Sequence, residues 1–383
     1  MSSQEAYRLY GSYVSYHTAK IRSYLRKKGI VFTEHIPGEP RFRAHVRKSS
    51  GSHRIPQIEL PDGSVVQDTV AIFDCLEARH PHPAARPPGL RQQCAARLLE
   101  VLIDPALGRT AWHYRWNYMP ENYGFVGREF GRSFKPRGTD ADLDHYGRII
   151  ADRMESKRGN FEDSPQVRTV LEDIYFDTLS ILERQFTDHP YLFGGLPSVA
   201  DHVLMGPLFG HLARDPYPST LMKQRAPRVF RWTEHMNTPE LTMPELADAE
   251  PAFAPDDEIP PATLELLRLS LADCGEFFVQ SAEAFNAWAP SASERPAGAF
   301  IADDEDEPLV GQFIRELRGL KVQGSANTYW LWVLQRVLDW FGELSESDRA
   351  TCRQLLDDCG GGGLFDIRLK RRLTRRDNRV AFA

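Results

Sequence analysis

Long apolar runs are missing from this chain. No stretch approaches the ~20 apolar residues a bilayer crossing needs, so no membrane span is expected. The opening residues, Met1-Ser2-Ser3-Gln4-Glu5, carry neither a basic nor an apolar leader segment, so no secretory signal is expected. Cysteine is scarce and scattered. Cys75, Cys94, Cys274, Cys352 and Cys359 include no CxxC pair, which argues against a disulfide framework and against a cysteine-rich zinc site. Charge of one sign is equally scarce, since a net charge of −6 is mild for 383 residues and singles out no partner. No internal repeat is visible. With 42% hydrophobic and 26% charged residues, what remains is a globular protein whose expected home is a reducing cytoplasm. Its length exceeds one ordinary core, so two or three domains are expected.

The patterns that are present divide the chain. Residues 7–10 read as a short apolar strand. Ile21, Tyr24 and Leu25 put an apolar stripe on a helix that stops at Gly29, and residues 30–33 read as a second strand. Residues 37–54, rich in Pro, Gly, Ser and basic side chains, read as loop with at most one short helix. Residues 55–60 alternate as a strand, Pro61-Asp62-Gly63 turns, and Val65-Val66 rejoin the sheet. Val70, Ile72, Phe73 and Leu76 then mark a helix ending near His80-Pro81. The order β-α-β, loop, β-β-α over residues 1–81 is the thioredoxin-like arrangement.

A proline-rich linker, 81–88, leads into an all-helical region expected over 90–248. Leu98, Leu99, Val101, Leu102 and Ile103 form one apolar run there, and Val170, Leu171, Ile174, Leu179 and Leu182 recur at helical spacing. Ser198 and Asp201 have capping-box spacing before an apolar helix expected over 203–212. A buried helix start needs its free N–H groups satisfied internally, so this pair matters first for folding. An acidic, proline-rich linker at 249–262 precedes a mainly helical extension, 263–383. Within it, 264–288 read as a helix, Asp303 to Glu307 as an acidic loop, and Tyr329-Trp330-Leu331-Trp332-Val333-Leu334 as an apolar element serving core or interface. An amphipathic helix around Leu355 and a glycine hinge at 360–363 follow. The basic tail from Arg368 to Arg379 lacks interleaved aromatics for base stacking. It is expected to pair with the chain's own acids or to stay solvated, and nucleic acid is not an expected partner. His80-Pro81-His82-Pro83 reads as linker, and no metal is expected.

Two segments carry the chemistry. In the first, a hydroxyl-bearing turn (Ser12, Tyr13, Ser15) feeds a helix. In the second, Arg54-Ile55-Pro56-Gln57 opens a strand, and Gln67-Asp68-Thr69 opens another helix. Two helix N-termini fed by small polar residues are two places to hold negative charge, such as a thiolate and a carboxylate of one small ligand.

In the order and spacing of these pieces, the first ~235 residues resemble the cytosolic glutathione transferases, in the thioredoxin-like then all-helical arrangement described above. The runs Ser15-Tyr16-His17-Thr18-Ala19-Lys20-Ile21 and Tyr24-Leu25-Arg26-Lys27-Lys28-Gly29-Ile30 are similar to those of bacterial glutathione-transferase-like proteins. So are Trp112-His113-Tyr114-Arg115-Trp116, Ser198 to Asp201, Leu208 to Pro216 and Ala226-Pro227. The last ~130 residues are an extension that typical members lack.

The resemblance implies glutathione as co-substrate and a hydroxyl at the start of the first helix that donates to its sulfur. Ser15 is the candidate, with Ser12 and Tyr13 as neighbours in a turn of open register and Ser15 as a mere helix cap the simpler alternative. Pro56 resembles the family's cis-proline, which turns the Ile55 backbone toward the cysteinyl peptide; a plain strand-opening proline is the alternative. Asp68-Thr69 match the acidic-hydroxyl pair that holds the γ-glutamyl end. One of Lys48, His53 and Arg54 is expected to meet the glycine carboxylate, with His53 carried as the candidate. The electrophile is expected between the domains, against Tyr13, Trp112, Tyr114, Arg115 and Trp116, although Arg115 could instead pair with an acid. A homodimer is implied by the family alone. The expected activity is attack of the glutathione thiolate on a hydrophobic or aromatic electrophile. The alternative is a glutathione-fold protein that binds or scaffolds without turnover.

Overall fold

The computed structural model describes residues 6–156, 163–291, 293–302 and 309–383. The acidic segment Asp303 to Glu307 lies outside the described residues.

The chain opens with strand β1 (Tyr7–Tyr10) and helix α1 (Tyr16–Lys27). Ser15 caps α1 by accepting from the Thr18 N–H at 3.2 Å, and Arg26 and Lys27 sit in its last turn, where the helix dipole favours cations. The helix closes in a Schellman arrangement: Gly29 takes φ 64°, its N–H donates to Arg26 O and the Ile30 N–H donates to Leu25 O. Ile30 is consumed in that cap, so strand β2 runs Phe32–His35, two residues later than the apolar pattern predicts. The basic segment after it winds through a wide turn (Phe42–Val46) into the short helix α2 (Arg47–Ser50). Strands β3 (Gln57–Glu59) and β4 (Val65–Gln67) and helix α3 (Thr69–Arg79) complete the unit. The sheet order is β2-β1-β3-β4, with β1 parallel to β2 and antiparallel to β3, and β3 antiparallel to β4.

The helical part begins with α4 (Leu90–Asn117), followed by α5 (Met119–Arg132), α6 (Asp140–Glu155), α7 (Pro165–Asp188), α8 (Val199–Leu204), α9 (Pro216–Arg225) and α10 (Pro227–His235). The helix predicted over 203–212 is broken. Helix α8 ends at Leu204, Gly206-Pro207 intervene, and a separate wide turn covers Leu208–Leu212. Pro207 has no N–H to continue the ladder. Gly206 also lies so close to α1 that a Cβ there would meet Tyr16 and Lys20 side-chain atoms at 2.6 Å.

The extension holds α11 (Pro261–Trp288), α12 (Thr328–Glu343) and α13 (Glu346–Asp358), plus two hairpins that the sequence pattern did not reveal. These are β5 (Leu309–Leu317) with β6 (Leu320–Asn327), and β7 (Leu373–Arg376) with β8 (Arg379–Phe382). Each turns through two residues of positive φ, Arg318-Gly319 and Asp377-Asn378. The basic tail is therefore structured. Arg372 pairs with Asp339 on α12, and Arg371 donates to the Arg295 carbonyl. The aromatic strip at 329–334 is the first turn and a half of α12, with Leu331 and Leu334 buried. Helices α11, α12 and α13 all pack on α4, and one apolar core runs from Leu9 through Leu102 to Phe382. Among the described residues no helix is long and apolar enough to cross a membrane, and all five cysteines are free.

Asp201, fully buried, forms the anticipated capping box with Ser198. It accepts from Ser198 N (2.8 Å), Ser198 Oγ (2.7 Å) and Leu192 N (3.0 Å). Asp201→Ala strands two buried N–H groups and is expected to cost about 3 kcal/mol, measured by urea unfolding. Burial holds three histidines neutral, with His202 pushed down to about 3, His235 to about 4, and His211 well below its ordinary value. Below pH ~6.5 the unfolded chain binds protons that these imidazoles refuse, so stability falls as pH drops toward 4, by up to about 1.4 kcal/mol per unit for each. Asp201, pushed up to about 6 by burial, opposes one of the three. A denaturation series between pH 7.5 and 4 that stays flat would contradict this assignment.

Candidate functional site

Strand register brings the chemistry-bearing segments together. Tyr10 at the end of β1 pairs with Gln57 at the start of β3, and Gln57 pairs with Gln67 at the end of β4. The turn 11–15, the Ile55-Pro56 bond and the Asp68-Thr69 pair therefore emerge side by side from one end of the sheet. The Ile55-Pro56 bond is cis. The Gln57 amide donates to Ser52 O (2.9 Å) and Arg54 O (2.8 Å), which shapes the approach to it. His53 and Arg54, half-buried, precede the proline on this rim.

The hydroxyls of the first turn separate by environment. Ser12 is buried and its Oγ lies 2.6 Å from Ser133 Oγ at the end of α5, so it ties the turn to the helical part. Tyr16 donates to Asp104 on α4 at 2.9 Å and faces away from the rim. Tyr13 is 43% exposed, its ring stacked on Arg22 at 3.8 Å. Ser15 is half-buried at the N-terminus of α1; accepting from Thr18 leaves its own proton free to donate. Next to it, the His17 side chain is exposed. Desolvation by the surrounding protein holds its imidazole down to about 4, and Lys20 and Arg54 push the same way while Asp104 and Asp68 oppose. One imidazole thus feels α1, α4, the rim of β3 and the start of α3.

Asp68 caps α3 by accepting from Val70 N at 3.0 Å, with φ 86° and ψ 139°. An L-residue pays about 1–3 kcal/mol to sit there, and such positions concentrate at ligand sites. Beside it, Lys20, Thr69, Asp104 and Tyr329 line a narrow pocket between α1, α3, α4 and α12. Lys20, almost fully buried, binds Asp104 through contacts of 2.5 and 2.6 Å.

The matches to known families follow this geometry. Residues 9–84 match the glutathione S-transferase N-terminal domain, and residues 165–235 match the glutathione S-transferase C-terminal domain. The chain thus carries both glutathione S-transferase domains, N-terminal then C-terminal, in that order. A glutathione S-transferase of Methylobacterium radiotolerans, solved in complex with glutathione sulfonate, is 20% identical, over 65% of this chain and 96% of its own, with a TM-score of 0.36. The β-etherase LigF of Sphingobium sp. strain SYK-6 is 17% identical over 63% and 98%, with a TM-score of 0.42. Glutathione transferase GSTFuA3 of Phanerochaete chrysosporium is 19% identical over 63% and 100%, with a TM-score of 0.43. No curated protein matches the chain.

On this transferase fold, the aromatic run of α4 does not line the cleft as a set. Tyr114 is buried among Tyr118, Tyr175 and Tyr217. Arg115, only 3% exposed, forks onto Asp215 (2.7 and 2.8 Å) and donates to Val14 O and Gly210 O at 3.0 Å each. With its guanidinium so committed, Arg115 is a positioning residue for the first turn, not a group that meets a substrate. Burial pushes the Asp215 carboxyl up and Arg115 pulls it back. Trp116 is buried in a small apolar cluster with Val14, Val126 and Phe130, and half-buried Trp112 packs on its edge. Of the four α4 residues proposed from sequence, Trp112 alone keeps open surface. Sequence reasoning also missed Lys20, Asp104, Tyr329 and Arg375. Lys20 and Asp104 lie 84 residues apart, and nothing local to either marks the pair.

Arg115→Ala leaves Asp215 buried and unpaired. The expected loss is about 3–5 kcal/mol of stability by chemical denaturation, where a substrate-binding role would change KM with the fold intact.

Proposed function

We propose that the protein is a glutathione-dependent transferase. The observation that carries the reading is the register row Tyr10, Gln57 and Gln67, which sets Ser15, the cis Ile55-Pro56 edge and Asp68-Thr69 side by side. In this reading the Ile55 backbone pairs with the cysteinyl peptide of glutathione. Thr69, at the N-terminus of α3, takes the γ-glutamyl carboxylate, and Asp68 takes the adjacent ammonium. His53 or Arg54 meets the glycine carboxylate. Ser15 donates its hydroxyl proton to the sulfur, and with the α1 N-terminus it lowers the thiol pKa by roughly one to two units. The thiolate then forms a bond to an electrophilic carbon held against Tyr13 and Trp112, and the electron pair leaves with the displaced group or passes to the acceptor. Conjugation, ether cleavage and thiol-dependent reduction all begin this way.

The alternative, a glutathione-fold protein that binds without turnover, is favoured by one observation: residues of the extension already touch Asp68. Turnover of a generic aromatic halide separates the two. We also place the protein in a reducing cytoplasm, in keeping with its free cysteines. A homodimer would have to use a face other than that of α4 covered by α11, α12 and α13.

Ser15→Ala is expected to lower turnover about 10–100-fold and to raise the pKa of the bound thiol, read from thiolate ultraviolet absorbance, with at most about 1 kcal/mol lost from the cap. Thr69→Ala is expected to weaken glutathione about tenfold in calorimetry. Absence of any heat with folded wild-type protein would end the reading.

A further inference from the structure

The extension reaches 261 residues back along the chain to Asp68 at the start of α3. The Tyr329 hydroxyl on α12 donates to Asp68 Oδ1 at 3.1 Å. Arg375 on β7 places Nη1 3.7 Å from Asp68 Oδ2, with both side chains 11% exposed. Its Nη2 donates to Gln67 Oε1 at 3.3 Å and to Asn378 O at 2.5 Å, and its guanidinium lies over the Tyr329 and Trp332 rings at 5.4 and 5.5 Å. The hairpin carrying it is pinned to the thioredoxin-like unit, because the Asn378 side chain donates to Ser50 O at 2.7 Å. The two αL residues of the turn, Asp377 and Asn378, make this short reach possible.

We propose that the extension completes the glutathione site: Arg375 binds the α-carboxylate of the γ-glutamyl residue, and Tyr329 orients Asp68 toward its α-ammonium. The inference rests on the glutathione reading above. The free end of a γ-glutamyl group carries both charges on one carbon, so its receptor needs an anion and a cation side by side, and Asp68 with Arg375 is such a pair. The incoming ammonium replaces the guanidinium at Asp68, and the incoming carboxylate bridges Arg375 and Thr69. Planar, delocalised Arg375 can swing from carboxylate to carboxylate while the Asn378 carbonyl and the two rings keep it in place. No bond is made or broken in this step. A simple latch would need only the ion pair. A latch also keeps ligand out, and that difference is measurable.

The experiment is calorimetric titration of the full-length protein with glutathione and with 4-aminobutanoyl-Cys-Gly, which lacks only the α-carboxylate. Wild type is expected to bind glutathione about 10–100-fold more tightly than the analogue. Arg375→Gln is expected to cut that preference to the part Thr69 supplies, about tenfold or less, while Arg375→Lys, which keeps a cation on the hairpin, retains more of it. Melting curves establish that each variant is folded, and Tyr329→Phe, expected to weaken both ligands modestly, gives a second route if Arg375→Gln does not fold. An unchanged preference in a folded Arg375→Gln or Arg375→Lys protein overturns the proposal and leaves the glutathione reading standing. Tighter glutathione binding in any of these variants overturns it in favour of a latch. Wild type that binds neither peptide overturns both.

Discussion

One buried guanidinium holds the site in shape. Arg115 projects from the middle of α4 into a place where three separate segments present oxygen: the carboxylate of Asp215, the carbonyl of Gly210 and the carbonyl of Val14. Val14 immediately precedes Ser15, so the position of the helix cap is set from the other domain. A buried ion pair is weak evidence for net stability, because desolvation offsets much of the attraction. Its value here is geometric, since the planar fork accepts only one arrangement of its partners. Gly210 reinforces it. A Cβ there would sit 2.8 Å from the Tyr16 Cα, so the turn after α8 lies flush on the first residue of α1. Tyr16 and Lys20, both bonded to Asp104, fasten the next turn of α1 to α4.

The extension belongs to the same body. Its helices cover α4, its apolar residues join the core that begins at Leu9, and its last hairpin ends beside the start of α3. There Tyr329 and Arg375 wall the Asp68 corner. The acidic and basic groups of that corner then face one another across 3.7 Å with little water access, a setting in which charge pairing is stronger and more selective than at the surface.

Local chemistry was legible where its partners are near in sequence. Ser15 as the cap of α1, the Asp68-Thr69 start of α3 and the Ser198–Asp201 box all depend on residues two or three positions apart. The cis bond at Pro56 was expected through the family resemblance alone, since local sequence equally allows a plain strand-opening proline. Boundaries slipped where an apolar residue had two uses, as with Ile30, which closes a helix instead of opening a strand. The 203–212 run hid a break because Gly206-Pro207 sits among residues that are apolar on every side. Of the two hairpins of the extension, β7–β8 escaped notice because its strands are rich in arginine and lack the usual alternation, and β5 is interrupted by a bulge between Val310 and Gln312.

By itself the sequence determined the element order, the caps and the chemical types available at each helix start, since these follow from backbone propensities and contacts within a few residues. Tertiary structure alone decided which of the charged and aromatic groups are ties and which can meet a ligand. Arg115 and Arg375 look alike in the chain; one is spent on Asp215 and two carbonyls deep between helices, and the other stands at the start of α3 opposite Asp68. Their roles depend on partners 100 and 307 residues away (215 − 115 and 375 − 68), and electrostatic pairing is settled by distance in space, which no local pattern encodes.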